Sequence, residues 1–157
     1  MSSKKINIKN CLSIIKKIKK LKKKIVMTNG CFDIIHSGHV DYLKKSKNLG
    51  DILIVAINAD VSVRKLKGEN RPINNLKNRI KVLSAISYVD FIIPFNQRTP
   101  ESLYKKLLPN ILTKGSQYEK KYISGANHVT SNGGKVKFIK MVSGQSTSNI
   151  INKILKL

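Results

Sequence analysis

Ile25-Val26-Met27-Thr28-Asn29-Gly30-Cys31-Phe32-Asp33-Ile34-Ile35-His36-Ser37-Gly38-His39 is the stretch on which the fold turns. Ile25 to Thr28 reads as a short buried strand. His39 to Asn48 reads as a helix, with Val40, Tyr42 and Leu43 turned inward. The polar turn between them carries the unusual residues. A glycine just after a strand lets a phosphate approach the backbone closely. Two histidines three apart bracket Gly38 where the helix begins. A helix N-terminus offers unpaired N–H groups and the positive end of a dipole. Together these features predict a cradle for a phosphoryl group that gains charge in a transition state. Two histidines at a helix start also serve as plain polar caps. Gly30, Phe32 and Asp33, standing in register behind a strand, make capping the weaker reading. A metal site would need further ligands close by, which the surrounding sequence does not supply.

Outward from this turn, apolar strands and helical patterns alternate. Ile52 to Ile57 is a near-continuous apolar run between Gly50-Asp51 and Asn58, as suits a strand covered on both faces. Leu76, Ile80, Leu83 and Ile86 mark a helix. Phe91 to Ile93 forms a strand ended by Pro94, and Pro100 opens a helix to Leu108. Ile111 to Thr113 and Val136 to Met141 give two more strands. Ser146 caps a last helix carrying Ile150, Ile151, Ile154 and Leu155. This alternation predicts an α/β fold, a Rossmann-like three-layer sandwich with a parallel sheet of about five strands. Ligands in such sheets sit beyond the carboxyl ends of the strands. No linker or repeat interrupts residues 1–157, which read as a single domain.

Charge is unevenly distributed. Thirty-one Lys and Arg stand against eight Asp and Glu, a net charge of +23. Residues 1–24 hold ten lysines and no acid, while Cys11, Ile14, Ile15, Ile18 and Leu21 recur at helical spacing. That segment is expected to be a docking helix whose apolar stripe covers the domain. Phosphate backbones attract a surface this basic. Lysine here is scattered over every element alongside abundant Ile and Asn, which fits compositional drift, so a nucleic-acid partner is not expected. Two cysteines exclude a disulfide scaffold and suit a reducing, cytoplasmic setting. Apolar runs fall short of the ~18 residues of a spanning helix, so no membrane insertion is expected.

The motif Gly30-x-Phe32-Asp33-x-x-His36-x-Gly38-His39 resembles the hallmark of the HxGH nucleotidyltransferase superfamily. Within it, the chain is similar to the D-glycero-β-D-manno-heptose 1-phosphate adenylyltransferases from about Leu12 to Leu157. The likeness rests on Thr28 to Asp33, Leu66-Lys67-Gly68 with Arg71-Pro72, Val89-Asp90, Pro94-Phe95 with Thr99-Pro100, Pro109, Lys114-Gly115 with Tyr118, Gly133-Gly134, and Gly144-x-Ser146-Thr147. The resemblance implies adenylyl transfer from ATP, handled with Mg2+, to a heptose 1-phosphate, giving ADP-heptose and pyrophosphate. It implies a separate heptose kinase upstream, and a homodimer is a fair expectation. His36, His39 and Lys67 would be catalytic. Asn29, Gly30, Cys31, Phe32, Asp33, Gly38, Asp60, Arg79, Lys114, Gly115, Gly144, Ser146 and Thr147 would bind the nucleotide, with Arg79 directed at its phosphates. Arg71 and Gln117 would hold the acceptor. None of these is expected to form a protein-built metal site.

The residues read independently point the same way. The basic stretch from Arg64 to Arg71 would screen a triphosphate. Hydroxyls at the last helix start would bind phosphate or cap the helix. Lys44 and His128 read as solvated surface residues. The chain departs from its relatives at Asn96, Gln97, Arg98 and Gln117, where they favour acids, and at Ser148, where they carry Thr. Since carboxylates commonly bind sugar hydroxyls, a retuned acceptor is one expectation. The rivals are a glycerol 3-phosphate cytidylyltransferase and a basic nucleic-acid-binding protein on the same scaffold.

Overall fold

Strand side chains alternate between two cores, and that period of two builds the three layers. The structure, a computed structural model, describes residues 4–116, 123–140 and 144–157. Its elements are α1 (Ile8–Lys20), β1 (Ile25–Gly30), α2 (Ser37–Lys47), β2 (Ile52–Asn58), α3 (Asp60–Lys67), α4 (Leu76–Ala85), β3 (Phe91–Phe95), α5 (Glu101–Leu107), β4 (Ile111–Gly115), α6 (Ala126–Ser131), β5 (Lys135–Ile139) and α7 (Thr147–Ile154). Ile25, Met27, Ile54 and Ala56 face a core closed by Cys11, Ile15 and Ile18 of α1 and by Leu103, Tyr104 and Leu107 of α5. Val26, Leu53, Val55 and Ile57 face the opposite core, closed by Tyr42 and Leu43 of α2 and by Ile80 and Leu83 of α4. Strands buried on both faces in this way are apolar almost throughout.

The sheet is parallel, in the order β3-β2-β1-β4-β5. Chain order reverses between β1 and β4, which makes their carboxyl ends the topological switch point. The β1–β2 ladder runs from Ile25↔Ile52 to Gly30↔Ile57. The β1–β4 ladder pairs only Val26 with Ile111 and Met27 with Leu112, although both strands run three residues further. Their ends are therefore parted where a ligand crevice is expected.

Several expectations need correction. Pro94 does not end β3 but lies inside it, opposite Ile57. β3 is the edge strand of the sheet, where the missing N–H costs least. That edge is partly covered by the N-terminal segment: the N–H of Ile6 donates to the Ile92 carbonyl at 3.0 Å, and the N–H of Ile92 donates to the Lys4 carbonyl at 2.8 Å. Arg64, Lys65 and Lys67 belong to the last turn of helix α3, not to a loop. Asp60 in the first turn and bases in the last suit the helix dipole, and Val63 supplies a buried contact. Helix α6 was not expected, and β5 begins one residue early and ends at Ile139. Leu21 and Val40 are exposed rather than packed, and α7 buries none of its apolar residues. No helix among the described residues is long and apolar enough to cross a membrane.

Candidate active site

Phe32 organises the turn after β1. Its backbone is left-handed, with φ +48°, a strained choice for a bulky residue, and its ring is buried. The ring lies over Gly30, where a Cβ would stand 3.0 Å from Phe32 Cε2. Gly30 therefore makes room for an aromatic ring, a role the sequence reading did not give it. Phe32 in turn packs on His39 at 5.3 Å between ring centroids, and His39 packs on His36 at 4.0 Å. Gly38 completes the stack, since a Cβ there would meet His36 Cε1 at 3.0 Å and Gln145 Cβ at 3.0 Å. His36 occupies the N-cap position of α2 but makes no side-chain cap bond, so capping does not explain it.

Burial lowers the His36 pKa, and burial together with the neighbouring His36 pushes His39 down to about 4. Both imidazoles are thus neutral near pH 7. The Nδ1 atoms of both are sealed and lack a hydrogen-bond partner, whereas neither Nε2 is sealed. The two rings stand side by side at the start of α2, tilted by 41°. An anion placed against them would raise the pKa of both rings.

A second group lies where β1 and β2 end. Asp33 is 4% exposed and accepts from Arg71 Nε at 2.7 Å, the Ile73 N–H at 2.9 Å and the Asn74 N–H at 2.8 Å. Burial alone raises its pKa, but the Asn74 and Ile73 N–H groups and Arg71 together hold it below the usual carboxylate range. This carboxylate is engaged by the protein's own donors. Arg79 is engaged likewise. It is 1% exposed and donates from Nη1 to the carbonyls of Cys31 (2.6 Å) and Asn58 (2.8 Å), from Nε to the carbonyl of Asn74 (2.9 Å), and from Nη2 to Asp60 Oδ1 (2.7 Å). Its fork ties the turn after β1, the end of β2, the start of α3 and the segment before α4 together. Asp60 is occupied by that pair, with 31% of its side chain exposed. Lys67 is exposed at the end of α3. Burial, with Asp33, pushes the Cys31 thiol up, while Lys67, Arg79 and Arg71 pull against it.

A third group closes the parted ends of β1 and β4. Asn29 Oδ1 accepts from Lys114 Nζ and from Tyr104 Oη, the latter at 2.6 Å. Burial draws the Lys114 ammonium down to about 8, against the opposing influence of Cys31. Gly115 ends β4 and is buried. From the far end of the chain, Thr147 Oγ1 donates to the Ile34 carbonyl at 3.3 Å, which fixes the start of α7 beside the histidine turn. Ser146 Oγ accepts from the Asn149 N–H at 3.0 Å and so acts as the N-cap. Gly144 is exposed with φ +75°. Gln117 lies outside the described residues. Lys44 is exposed as expected, and His128, at 3.1 Å from Glu101 Oε1, stands apart from these groups.

Sequence reading missed the internal supports. Tyr104, Asn74, Thr28, Ser46 and Thr113 all hydrogen-bond within or beside the site. Ser46 carries the clearest signal, a polar residue one turn beyond Tyr42 on the inward face of α2.

The sequence profile of the cytidylyltransferase-like family matches residues 27–153. The bifunctional protein HldE of Haemophilus influenzae is 53% identical over 131 residues, covering 83% of this chain and 28% of that protein. HldE of Nitrosococcus oceani is 54% identical over 132 residues, 84% of this chain and 28% of that protein. The chain thus spans under a third of the length of these curated relatives. Among solved structures, the lipopolysaccharide core biosynthesis protein of Thermoplasma volcanium matches 78% of this chain and 99% of its own, at 29% identity and a TM-score of 0.63. Pantoate-β-alanine ligase of Francisella tularensis matches 96% of this chain and 78% of its own at a TM-score of 0.58, and at 18% identity it shares the fold alone. With the stacked histidines in place and most of its length matched, the chain belongs to the cytidylyltransferase-like family of nucleotidyltransferases.

Proposed function

We propose that this domain transfers an adenylyl group from MgATP to D-glycero-β-D-manno-heptose 1-phosphate. A phosphate oxygen of the acceptor attacks the α-phosphorus in line, the bond from that phosphorus to the bridging oxygen breaks, and pyrophosphate leaves. No covalent link to the protein forms. Catalysis is then positioning plus stabilisation of charge on the α-phosphoryl oxygens. The observation that carries this reading is the pair of stacked imidazoles with open Nε2 edges at the start of α2. His36 and His39 hold the α-phosphate, and His39 takes most of the added charge. Lys67 and the Nη atoms of Arg71 attract the acceptor phosphate. Asn29 and Lys114 face the nucleoside at the parted strand ends, and the backbone from Gly144 to Thr147 receives the outer phosphates.

Among the described residues, no group of three or more His, Cys, Asp and Glu is placed to hold a metal ion. Asp33 and Asp60 are engaged by protein donors, so Mg2+ enters as part of the nucleotide substrate. The choice of heptose 1-phosphate rests on the sequence blocks and on the names of the HldE and lipopolysaccharide-core relatives. A sugar kinase must then supply the acceptor.

Pyrophosphate release tests the reading, with ATP or CTP offered against heptose 1-phosphate or glycerol 3-phosphate. ATP with the heptose should react, and His39→Ala should lower kcat about 10²- to 10³-fold, as for loss of a charge-stabilising donor. Reaction only with CTP and glycerol 3-phosphate would replace the substrate assignment. Undiminished turnover in His39→Ala would remove the histidine mechanism.

A further inference from the structure

The parted ends of β1 and β4 are joined by side chains where the backbone ladder stops. Thr28 Oγ1 lies 2.7 Å from Tyr42 Oη and donates to the Thr113 carbonyl at 3.2 Å. Tyr42 Oη donates to Thr113 Oγ1 at 3.3 Å, and Ser46 Oγ lies 3.0 Å from the same atom. Thr28, Ser46 and Thr113 are wholly buried and Tyr42 nearly so. Two of the four residues sit on the strands and two on α2. His39, Tyr42 and Ser46 lie on successive turns of that helix, with His39 at the rim.

We propose that Thr28, Tyr42, Ser46 and Thr113 are positioning residues for nucleotidyl transfer: their hydroxyl cluster registers α2, and with it His39, against the parted ends of β1 and β4. The inference rests on the role given above to His39. Apolar packing around Tyr42 and Leu43 holds α2 on the sheet, and directional hydrogen bonds at fixed atoms add a more exact register. A fold seeking stability alone has no use for four buried hydroxyls. Burying each is costly unless it is paired, and replacing paired partners together by apolar groups of similar shape is close to neutral. What the cluster adds is a single register, and a displacement of ~1 Å at a reacting group can cost about 10²-fold in rate.

The test uses Ser46→Ala and Thr113→Val, with Thr113→Ser as the conservative rescue. The expected result is a kcat loss of about tenfold to a hundredfold, with KM for ATP changed by less than about threefold. Thr113→Ser should recover most of the turnover. The chain has three histidines, so the ring signals of His36, His39 and His128 can be assigned by single substitutions in NMR spectra. His39 signals should move in both variants and His128 signals should not. Wild-type kcat, or unmoved His39 signals whatever the rate, would overturn the proposal. If Thr113→Val fails to fold, Ser46→Ala decides alone. Should His39→Ala retain full turnover, the mechanism fails instead, and the ring signals still decide whether the hydroxyls position α2.

Discussion

Replacing Arg79 by lysine separates a structural clamp from a phosphate ligand. The guanidinium spans four protein acceptors: the carbonyls of Cys31, Asn58 and Asn74, and the Asp60 carboxylate. An ammonium keeps the charge but presents its donors from one point, so it can serve about two of these acceptors. Each buried carbonyl left without a donor costs ~1–3 kcal/mol. Two such losses put Arg79→Lys at about 3 kcal/mol of lost stability, a large share of the ~5–15 kcal/mol that holds a domain of this kind together. With a urea dependence of ~2 kcal/mol per molar, the unfolding midpoint should fall by about 1.5 M. Asp60→Asn is the control. Its amide oxygen would still accept from Arg79 Nη2, so all four acceptors are kept and the midpoint should fall by less than in Arg79→Lys. Circular dichroism across a urea series measures both. An arginine directed at the nucleotide would give the opposite pattern, an unchanged midpoint with a tenfold or greater rise in KM for ATP. That pattern would refute the clamp.

Two further predictions concern acid and the N-terminus. The pKa of His39 is about 4 in the fold against 6.5 in an unfolded chain, so the fold favours the neutral ring. The corresponding stability is complete above pH 6.5 and drains away as pH falls through the window from 6.5 to about 4, by about 2–3 kcal/mol once partial exposure is allowed for. Asp33, whose pKa is lowered, loses stability in the same direction but at more acid pH, so His39→Gln compared with wild type at pH 7 and pH 4.5 isolates the histidine. Equal acid sensitivity in the two proteins would contradict this account. Deleting residues 1–7 removes the pairing of Lys4 and Ile6 with Ile92 and the Asn7 side chain that accepts from the Asn10 N–H. At ~1 kcal/mol for the cap and about as much for the paired edge, thermal unfolding should occur about 4–8 °C lower. An unchanged Tm would show that the edge needs no cover.

The elements that could be read from sequence are those whose pattern reports burial directly. β2 is apolar along its length because it is covered on both faces, and α1 shows its stripe because lysine fills the rest. α3 was hidden because it buries little beyond Ser62 and Val63, so its signal lay in charge order and not in periodicity. Pro94 misled because a proline says that a backbone donor is absent, not whether the strand is an edge. At the site, His36, Gly38 and His39 were legible because their spacing is itself the device. Asp33 and Arg79 have supporting roles that the sequence hid, for a common reason. A charged residue beside a phosphate motif reads as a ligand, and only the fold reveals that its bonding capacity is consumed by backbone groups 20 to 50 residues away.

Those same bonds show where this basic chain places two of its guanidinium groups. The guanidinium of Arg79 and the Nε of Arg71 are turned inward, where they hold loops and meet carboxylates or carbonyls. Beside the exposed Lys67, the crevice holds two imidazoles that are neutral near pH 7 and a lysine, still largely protonated there, whose pKa burial draws down to about 8. A fixed cation at that depth would be costly in the empty domain, since burial penalises an unpaired charge. Groups that take up a proton only when an anion arrives avoid that cost. Their stabilisation also grows with the negative charge they face, which rises from the bound triphosphate to the transition state. On the proposed mechanism the arginines supply rigidity and the histidines the charge response, and the neutrality of His39 before the nucleotide binds is what lets that response follow the charge on the phosphate.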